Sequence, residues 1–121
     1  MSMRRNSVFD YDEALRRVEQ DLETFLTLAE LFVEQGPKDL AAVKAAVDLK
    51  SPDAVTKSVH RLKGAVLQFC APATFEAARK LEEMGKAGNL TEAGEACAKL
   101  ELELSQLVDE LRRTLEKGLA A

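Results

Sequence analysis

The sequence predicts an all-α fold, an up-down antiparallel four-helix bundle with a short extra N-terminal helix. Three observations favour it. The 121 residues are dominated by helix-forming Ala, Leu, Glu and Lys, with 46% hydrophobic and 31% charged residues. Apolar residues recur at intervals of three and four along most of the chain, and no stretch alternates as a strand does. The connections are short, which is typical of antiparallel neighbours in a bundle.

Length and charge narrow the range of functions. A chain of this size corresponds to one domain, and we expect a flexible N-terminal tail over residues 1–8 and the bundle domain over residues 9–119. The net charge is -4, so we expect no nucleic-acid partner, since phosphate neutralisation needs a basic surface. No run approaches 18 apolar residues, and no signal peptide is recognised, so we expect no membrane span and a cytoplasmic location.

The two cysteines, Cys70 and Cys97, lie in helical patterns without close spacing. In a cytoplasmic protein such residues are expected to be reduced and buried thiols. A disulfide between them is the minor alternative.

The first element is a short helix from about Tyr11 to Glu19. Asp10, followed three residues later by Glu13, resembles a capping box with Asp in place of the usual Ser or Thr. The helix presents one apolar face, which consists of Ala14, Leu15 and Val18.

A second helical segment starts at Asp21 and is predicted to reach Glu34. The pair Gly36-Pro37 then predicts a break or a sharp kink. Proline has no N–H to donate, and it disfavours helical backbone in the residue before it. The helical pattern resumes over residues 40–49.

The third helix begins at Ser51. A serine cap, Pro52 at the first helical position and the acidic Asp53 in the first turn are all typical of a helix start. Its apolar positions form a stripe that is expected to face the core: Val55, Val59, Leu62, Val66 and Phe69. The pair Ala71-Pro72 ends this helix and begins the next.

Two more helices complete the bundle. The fourth is expected to end in a left-handed turn at Gly88-Asn89, and Thr91 or Asn89 caps the last. The apolar stripe of the fourth helix consists of Phe75, Ala78, Leu81 and Met84. That of the last helix consists of Leu100, Leu104, Leu107, Leu111 and Leu115.

The chain contains a single histidine, His60, at the edge of the third helix's apolar stripe, where its ring should meet water. Lys63, Gly64 and Leu67 follow at spacings of three, four and seven, so they share one stripe of the helix with it. A glycine inside a helix costs about 1 kcal/mol relative to alanine. Here Gly64 removes bulk where another molecule could approach, and Lys63 places positive charge one turn from the ring.

This arrangement suits a histidine that carries phosphate. A neutral imidazole is a nucleophile near pH 7, since its usual pKa is about 6.5. A phosphoryl group adds negative charge that a nearby cation stabilises. A carboxylate or amide on a facing helix could fix the tautomer through the other nitrogen. A solvated histidine without a special role fits the same spacing.

Three stretches resemble histidine-containing phosphotransfer (HPt) domains. "HRLKGAVLQFCA", residues 60–71, contains the His-x-Leu-Lys-Gly motif of that family. "FDYDEALRRVEQDLETFLTLAELF", residues 9–32, is similar to the opening helices, and "EAARKLEEMGKAGNL", residues 76–90, resembles the helix after the histidine. The resemblance covers most of the chain in the right order. It implies a four-helix bundle that relays phosphoryl groups between receiver-domain aspartates in a two-component phosphorelay.

The resemblance also implies roles for single residues. His60 matches the phosphorylated position, Lys63 the basic residue that assists the phosphoryl group, and Gly64 the small residue that gives access. Glu82 falls at the position from which family members hydrogen-bond the imidazole.

The resemblance extends to a partner-binding surface. Leu67 is a candidate member of the apolar patch that receives the partner, and Arg79 and Lys86 are expected to border the same groove. One departure stands out. The family usually carries glycine ten residues past the histidine, where this chain has Cys70, so the bend differs there or a buried cysteine fills it.

The implied partners are response-regulator receiver domains, a hybrid histidine kinase, or both. The chain contains neither Gly-x-x-x-x-Gly-Lys nor Gly-x-Gly-x-x-Gly, so we expect a phosphocarrier rather than a kinase. We expect no cofactor bound by this chain, with Mg²⁺ on the partner receiver domain, and a monomer.

Three other functions are alternatives to phosphotransfer. A helical adaptor could bind a kinase or receiver without being phosphorylated. A metal-binding bundle needs Glu-x-x-His pairs from two helices, whereas the one histidine here is preceded at that spacing by Lys57. A dimeric coiled coil could use the leucine stripe of the last helix, although long heptad runs are needed for that.

Overall fold

The structure, a computed structural model, describes residues 8–120, and side chains over residues 8–118. Five helices follow one another: α1 (Tyr11–Arg17), α2 (Leu22–Asp48), α3 (Pro52–Leu67), α4 (Pro72–Ala87) and α5 (Ala93–Ala120). Helix α2 packs against α3 and α5, α4 packs against the same two helices, and α1 contacts α2. This confirms the all-α bundle of four main helices with a short N-terminal addition.

The flexible tail predicted for residues 1–8 lies, except for Val8, outside the described residues. Val8 is partly buried against the core. Asp10 caps α1 as predicted, because its carboxylate accepts the backbone N–H of Glu13 at 3.0 Å. The reciprocal half of the capping box is replaced, because the N–H of Asp10 donates to the carbonyl oxygen of Cys70. Helix α1 ends at Arg17, two residues earlier than expected. Glu19 and Gln20 have φ angles of 57° and 66°, and this left-handed backbone cannot continue a helix.

The break predicted at Gly36-Pro37 is not present, because α2 continues through both residues. Phe32 lies on one side of the pair and Leu40 and Val43 on the other, and all three are buried. The missing N–H of Pro37 removes one helical hydrogen bond. Burial of the same apolar face before and after the proline outweighs that loss, so tertiary packing overrides the local preference.

Helix α3 begins as the sequence predicts. The hydroxyl of Ser51 accepts the N–H of Ala54 at 3.2 Å, and Pro52 occupies the first turn. Helix α4 starts at Pro72 without a side-chain cap, since the residue before it is Ala71. Only residues 68–71 separate α3 from α4. This short turn places the two helices side by side, and they pack against each other.

The end of α4 also follows the prediction, because Gly88 has a left-handed φ of 73°. The start of α5 is later than expected, at Ala93. The side chain of Asn89 accepts the N–H of Thr91 at 3.1 Å, so both predicted caps lie in the turn that precedes the helix.

The turn between α3 and α4 explains how the chain manages without the family's glycine. Cys70 takes a left-handed φ of 54°, the conformation that glycine adopts without strain. Its carbonyl oxygen accepts the backbone N–H of Asp10 at 3.0 Å. The bend is therefore retained, and it is tied to the start of α1.

The core runs along the inside of the four long helices. The leucine stripe of α5 faces this core, with only Leu115 partly exposed, so a coiled-coil dimer has no free stripe to use. Both cysteines are free, Cys97 buried and Cys70 partly buried. The largest fully buried side chains are Phe25, Phe69, Leu62, Leu81, Leu100, Leu104, Leu107, Leu111, Val43, Val55, Val59 and Val66.

Two kinds of feature are absent from the described part of the chain. None of its helices combines the length and the apolar character that crossing a membrane requires. Over the same residues, no three His, Cys, Asp or Glu side chains are grouped closely enough to hold a metal ion.

Candidate functional site

His60 lies on the outer side of α3, where its side chain is 72% exposed. Its neighbours on the apolar stripe, Val59 and Leu62, are fully buried. The offset of about 100° per residue therefore places the imidazole at the edge of the core and in solvent. A visiting protein can reach the ring without any rearrangement of the bundle.

Glu82 on α4 holds the ring from the side. Its carboxylate oxygen Oε2 lies 2.9 Å from Nδ1 of His60, and its side chain is only 3% exposed. Burial acts to raise the pKa of Glu82, but hydrogen bonds from Lys63 and His60 act in the other direction, and the net pKa lies below the usual value. The carboxylate is therefore ionised at neutral pH.

The charge of Glu82 determines the tautomer of His60. An ionised carboxylate only accepts hydrogen bonds, so Nδ1 must carry the hydrogen in this contact. In the neutral ring, the other nitrogen, Nε2, then carries the lone pair. The site presents one defined nucleophilic nitrogen on an exposed ring.

Lys63 contacts the second oxygen of the same carboxylate. Its Nζ lies 2.6 Å from Oε1 of Glu82, and its side chain is 21% exposed. The ammonium also lies 5.7 Å from the ring centroid of Phe75, within the range of a cation–π contact. Lys63 is thus held between α3 and α4 rather than extended into solvent.

Lys86 is held much more loosely. Its Nζ lies 3.9 Å from Oε2 of Glu82, the oxygen that binds the imidazole, and its side chain is 63% exposed. The spacing of four residues on α4 places it one turn beyond Glu82. Positive charge therefore lies near both oxygens of the carboxylate that binds the ring.

Arg79 lies one turn before Glu82 on α4, but its guanidinium is occupied by its own helix. It binds Glu76 through Nη2 at 2.6 Å and also pairs with Glu83. These partners, at spacings of three and four, form an ion network along the helix surface. Arg79 borders the site without contacting His60, Lys63 or Glu82 in this arrangement.

Gly64 leaves open space next to the ring. A Cβ added there would meet no atom within 4 Å, so nothing inside the protein requires a glycine. Leu67, one turn on, is 47% exposed. The stripe of His60, Gly64 and Leu67 is therefore exposed to solvent, and it ends in an apolar side chain.

An apolar groove of about 330 Å³ adjoins that end of the stripe. The apolar stripe predicted for the fourth helix includes Phe75, and no role was predicted for Arg17, yet both residues line this groove. The seven-residue spacing from Phe75 to Glu82 places them on one face of α4 and was the available signal. The groove is lined by Asp10, Arg17, Val66, Leu67, Cys70, Ala71, Pro72 and Phe75.

Arg61 is a second residue that sequence analysis did not select. It follows His60 directly and is exposed, and it forms no ion pair with any residue between 8 and 118. The neighbouring Lys57 is by contrast paired with Asp53 at 3.1 Å. The histidine face is therefore locally cationic, although the whole chain is acidic.

Gly85 allows α3 and α4 to approach closely enough to build the site. A Cβ at Gly85 would lie 2.5 Å from Oγ1 of Thr56 and 3.0 Å from the carbonyl oxygen of Pro52. A side chain at this position would therefore force Thr56 or the backbone near Pro52 to shift. Since Glu82 lies one turn earlier on α4, the same close approach brings its carboxylate within hydrogen-bond distance of His60.

Comparison with known proteins gives three findings. The sequence matches the Hpt domain family over residues 27–114. The fold is similar to the crystal structure of histidine-containing phosphotransfer protein B (HptB) from Pseudomonas aeruginosa PAO1, with a TM-score of 0.81, 20% identity, and coverage of 88% of this chain and 93% of that one. No curated protein matches the sequence.

A second solved structure gives the same result. It is the HPT domain of the Hpt sensor hybrid histidine kinase from Shewanella, with a TM-score of 0.81 and 15% identity. The match covers 91% of this chain and 95% of that one. At these identities both likenesses concern the fold, whereas the family match concerns the sequence itself.

Proposed function

The chain belongs to the Hpt domain family, and on that premise we propose that His60 is the residue that carries the phosphoryl group. Histidine phosphotransfer in a two-component phosphorelay is the function of this domain, and receiver domains and kinases are the partners of the family. One observation above all supports His60 as the carrier. Its Nδ1 is bound by the buried carboxylate of Glu82 at 2.9 Å, while the opposite side of the ring is open to solvent.

The chemistry follows from the tautomer. The lone pair of Nε2 attacks the phosphorus of an aspartyl phosphate on the docked receiver. The P–N bond forms as the P–O bond to the aspartate breaks, and the aspartate leaves as a carboxylate. Nδ1 keeps its hydrogen throughout, because the charge that develops on the ring is balanced by Glu82. The reverse reaction passes the phosphoryl group to the next aspartate.

The surface around His60 supplies the docking site. Gly64 leaves room for the partner's active-site loops to approach the ring, and Leu67 and the adjoining groove offer apolar contact. Arg61 and Lys86 add positive charge that would attract an acidic receiver site. Positioning of a nucleophile and charge stabilisation are the main requirements of phosphoryl transfer.

The proposed function also implies a cofactor arrangement, an oligomeric state and a cellular location. The Mg²⁺ that phosphoryl transfer needs is brought by the receiver, and this chain binds no cofactor of its own. The protein acts as a monomer, since the α5 leucines are used inside its own bundle. Its acidic net charge argues against nucleic acid as a partner. Its free thiols and its phosphorelay partners favour the cytoplasm.

Transfer from a labelled receiver tests the proposal. Receiver domains carrying ³²P on their aspartate are incubated with the native chain and with His60→Gln. We expect the label to move to the native chain and not to the variant, with both proteins equally helical by circular dichroism. Equal labelling of the two proteins, or no transfer to the native chain from any of a broad panel of receivers, would contradict the proposal. The second result would favour a non-phosphorylated adaptor.

A further inference from the structure

A second apolar groove, of about 210 Å³, lies between α2 and the C-terminal part of α3. It is thus on the side of α3 that faces α2, away from α4. Apolar contact by itself selects weakly among partners, so the polar residues of a groove determine which one fits best. Five of the residues that line it are apolar: Leu28, Leu31, Phe32, Ala65 and Phe69.

Asp39 is the charged residue of this groove. It is only 7% exposed, and its Oδ1 accepts a hydrogen bond from Nε2 of Gln35 at 3.0 Å. No lysine, arginine or histidine lies within ion-pair distance of Asp39 in the part of the chain whose side chains the structure describes. Buried carboxylates are usually paired with a cation, because removing an unpaired charge from water is costly. The groove therefore contains an anion whose cation is missing.

The stability of the bundle does not explain this aspartate. It lies in the interior of α2, far from the helix N-terminus, where a negative charge would be favourable. Its partner Gln35 is exposed and belongs to the same helix, and such pairs stabilise a helix only slightly. The next residue, Leu40, is buried as the pattern of the core requires. A cation from another molecule would account for an acid at this position.

The groove adjoins the surface on which His60 is exposed. Gln68, which is exposed and lines the groove, follows His60 by eight residues. That spacing corresponds to about 12 Å along α3 and about 80° around it. A protein interface of ordinary size covers about 800 Å² on each partner, a patch roughly 30 Å across. A receiver docked over His60 would therefore also reach this groove.

The two regions carry opposite charges. The surface at His60 is cationic, because Arg61 is exposed and unpaired among the described residues and Lys86 lies nearby. Asp39 places a negative charge on the α2 side. Charges of both signs on one docking surface fix the orientation of a partner and exclude partners with the wrong pattern. The complementary partner has an acidic active site and, beside it, a basic side chain.

We propose that the groove between α2 and α3 binds an arginine or lysine side chain of the docked receiver, and that Asp39 selects the receivers that carry one. The apolar walls contact the methylene groups of that side chain. The cation pairs with Asp39, whose Oδ2 has no hydrogen-bond donor among the described residues. This inference rests on the proposed function, and it adds a chemical criterion for the choice of partner.

Receiver affinity tests the proposal without requiring phosphoryl transfer. A broad panel of unphosphorylated receiver domains is titrated into the full chain by calorimetry, and the tightest binder is used further. We expect Asp39→Asn to raise its Kd about tenfold, because a paired charge is lost. Glu30→Gln is the matched control, since it removes an exposed acid from the same helix outside the groove. It should leave the Kd unchanged.

Substitutions in the receiver identify the cation. Each exposed arginine and lysine of the tightest binder is replaced by methionine in turn. We expect one of these substitutions to weaken binding to the native chain about tenfold and to have no further effect on binding to Asp39→Asn. Such non-additivity is what a direct pair produces.

Several outcomes would overturn the inference. One is a native Kd for Asp39→Asn, and another is additivity with every basic residue of the receiver. If Arg4→Met/Arg5→Met abolishes the effect of Asp39→Asn, the groove binds arginines of the chain itself. If light scattering shows a dimer that Asp39→Asn dissociates, the groove is an interface between two copies. Asp39→Ala replaces Asp39→Asn if the latter is less helical by circular dichroism.

Labelling by phosphoramidate separates this inference from the proposed function. This small donor phosphorylates histidine without a protein partner, so Asp39→Asn should be labelled at the native rate. If the native chain is not labelled and accepts nothing from a receiver, yet the coupling to Asp39 is observed, the proposed function is wrong and the role of the groove stands. If the chain is labelled on His60 but binds no receiver, the role of the groove is wrong.

Discussion

Glu82 lies 22 residues after His60 and on another helix, yet its Oε2 is 2.9 Å from the Nδ1 of that histidine. The orientation of the imidazole is therefore a property of the packing between α3 and α4, not of α3 alone. Substitutions that change this packing should therefore change the orientation of the His60 imidazole even when the substituted residue does not contact it.

Gly64→Ala should make the protein more stable and should slow phosphoryl transfer from a docked receiver. A methyl group at this position meets nothing inside the chain, and replacing glycine by alanine within a helix contributes about 1 kcal/mol. The same methyl group projects toward a docking receiver. We expect a higher midpoint in urea, slower transfer from a phosphorylated receiver, and unchanged labelling by phosphoramidate.

The matched control for that experiment is Gly94→Ala. Gly94 also lies in open space, but near the start of α5. The substitution should stabilise the protein by a similar or smaller amount and leave receiver transfer at the native rate. If Gly64→Ala leaves receiver transfer at the native rate too, Gly64 is not needed for access to His60.

Gly85→Ala should weaken both the fold and the site. The new methyl group would lie 2.5 Å from Oγ1 of Thr56 and would also press on the backbone at Pro52. Such overpacking typically costs about 1–3 kcal/mol, and it would push α4 and Glu82 away from α3. We expect a lower free energy of unfolding in urea and a mixed His60 tautomer by ¹⁵N NMR.

A second substitution checks the cause. Adding Thr56→Ala removes the closest contact but leaves the backbone contacts, so it should restore stability only in part. Full restoration would show that the side-chain hydroxyl alone limits the helix spacing. No loss of stability in Gly85→Ala would contradict the steric argument.

The stability contributed by Glu82 should disappear in acid. Its folded pKa lies below the usual value, so its charged contacts stabilise the protein above the unfolded pKa of about 4.3. That contribution is lost as the pH falls through the folded pKa. The groups that face the carboxylate are His60, Lys63 and Lys86.

Urea unfolding at pH 6, pH 4.5 and pH 3 measures this effect. We expect the native protein to exceed Glu82→Gln in free energy of unfolding at pH 6, with a difference that shrinks toward pH 3. A difference that is constant with pH would mean that the charge of Glu82 contributes nothing to stability.

Cys70→Gly should relieve backbone strain in the turn between α3 and α4. A left-handed conformation costs a side-chain-bearing residue about 1–2 kcal/mol, whereas glycine adopts it freely but loses more chain entropy on folding. We expect the free energy of unfolding, measured by thermal unfolding, to rise by up to about 1 kcal/mol. Cys70→Val should lose stability, because branching at Cβ makes φ of 54° still less favourable.

Local signals predicted the helices well. Asp10, Ser51 and Gly88 each fulfil the role that their side chain or its absence indicates. At Gly36-Pro37 the local signal for a break was wrong, because burial on both sides of the proline depends on residues distant in the chain. No sequence window contains that information.

The site was predictable to a similar extent. Spacing on α3 placed Lys63 and Gly64 with His60, and family resemblance was needed to connect Glu82 on another helix. The attachment of Lys63 to Glu82 was not foreseen, since the choice between a solvated and a bridging lysine depends on the distance between two helices. Arg61 was missed because exposed cations are common on helix surfaces.

The hydrogen on Nδ1 has a consequence for signalling. In the proposed reaction it stays with the ring before, during and after transfer, so the carrier would need no acid or base from the surrounding medium to complete its cycle. What it accepts from one protein it can deliver to the next as a closed exchange between two aspartates. Phosphoryl transfer through such a relay then depends on which partners bind one another, and little on acids or bases in the surrounding medium.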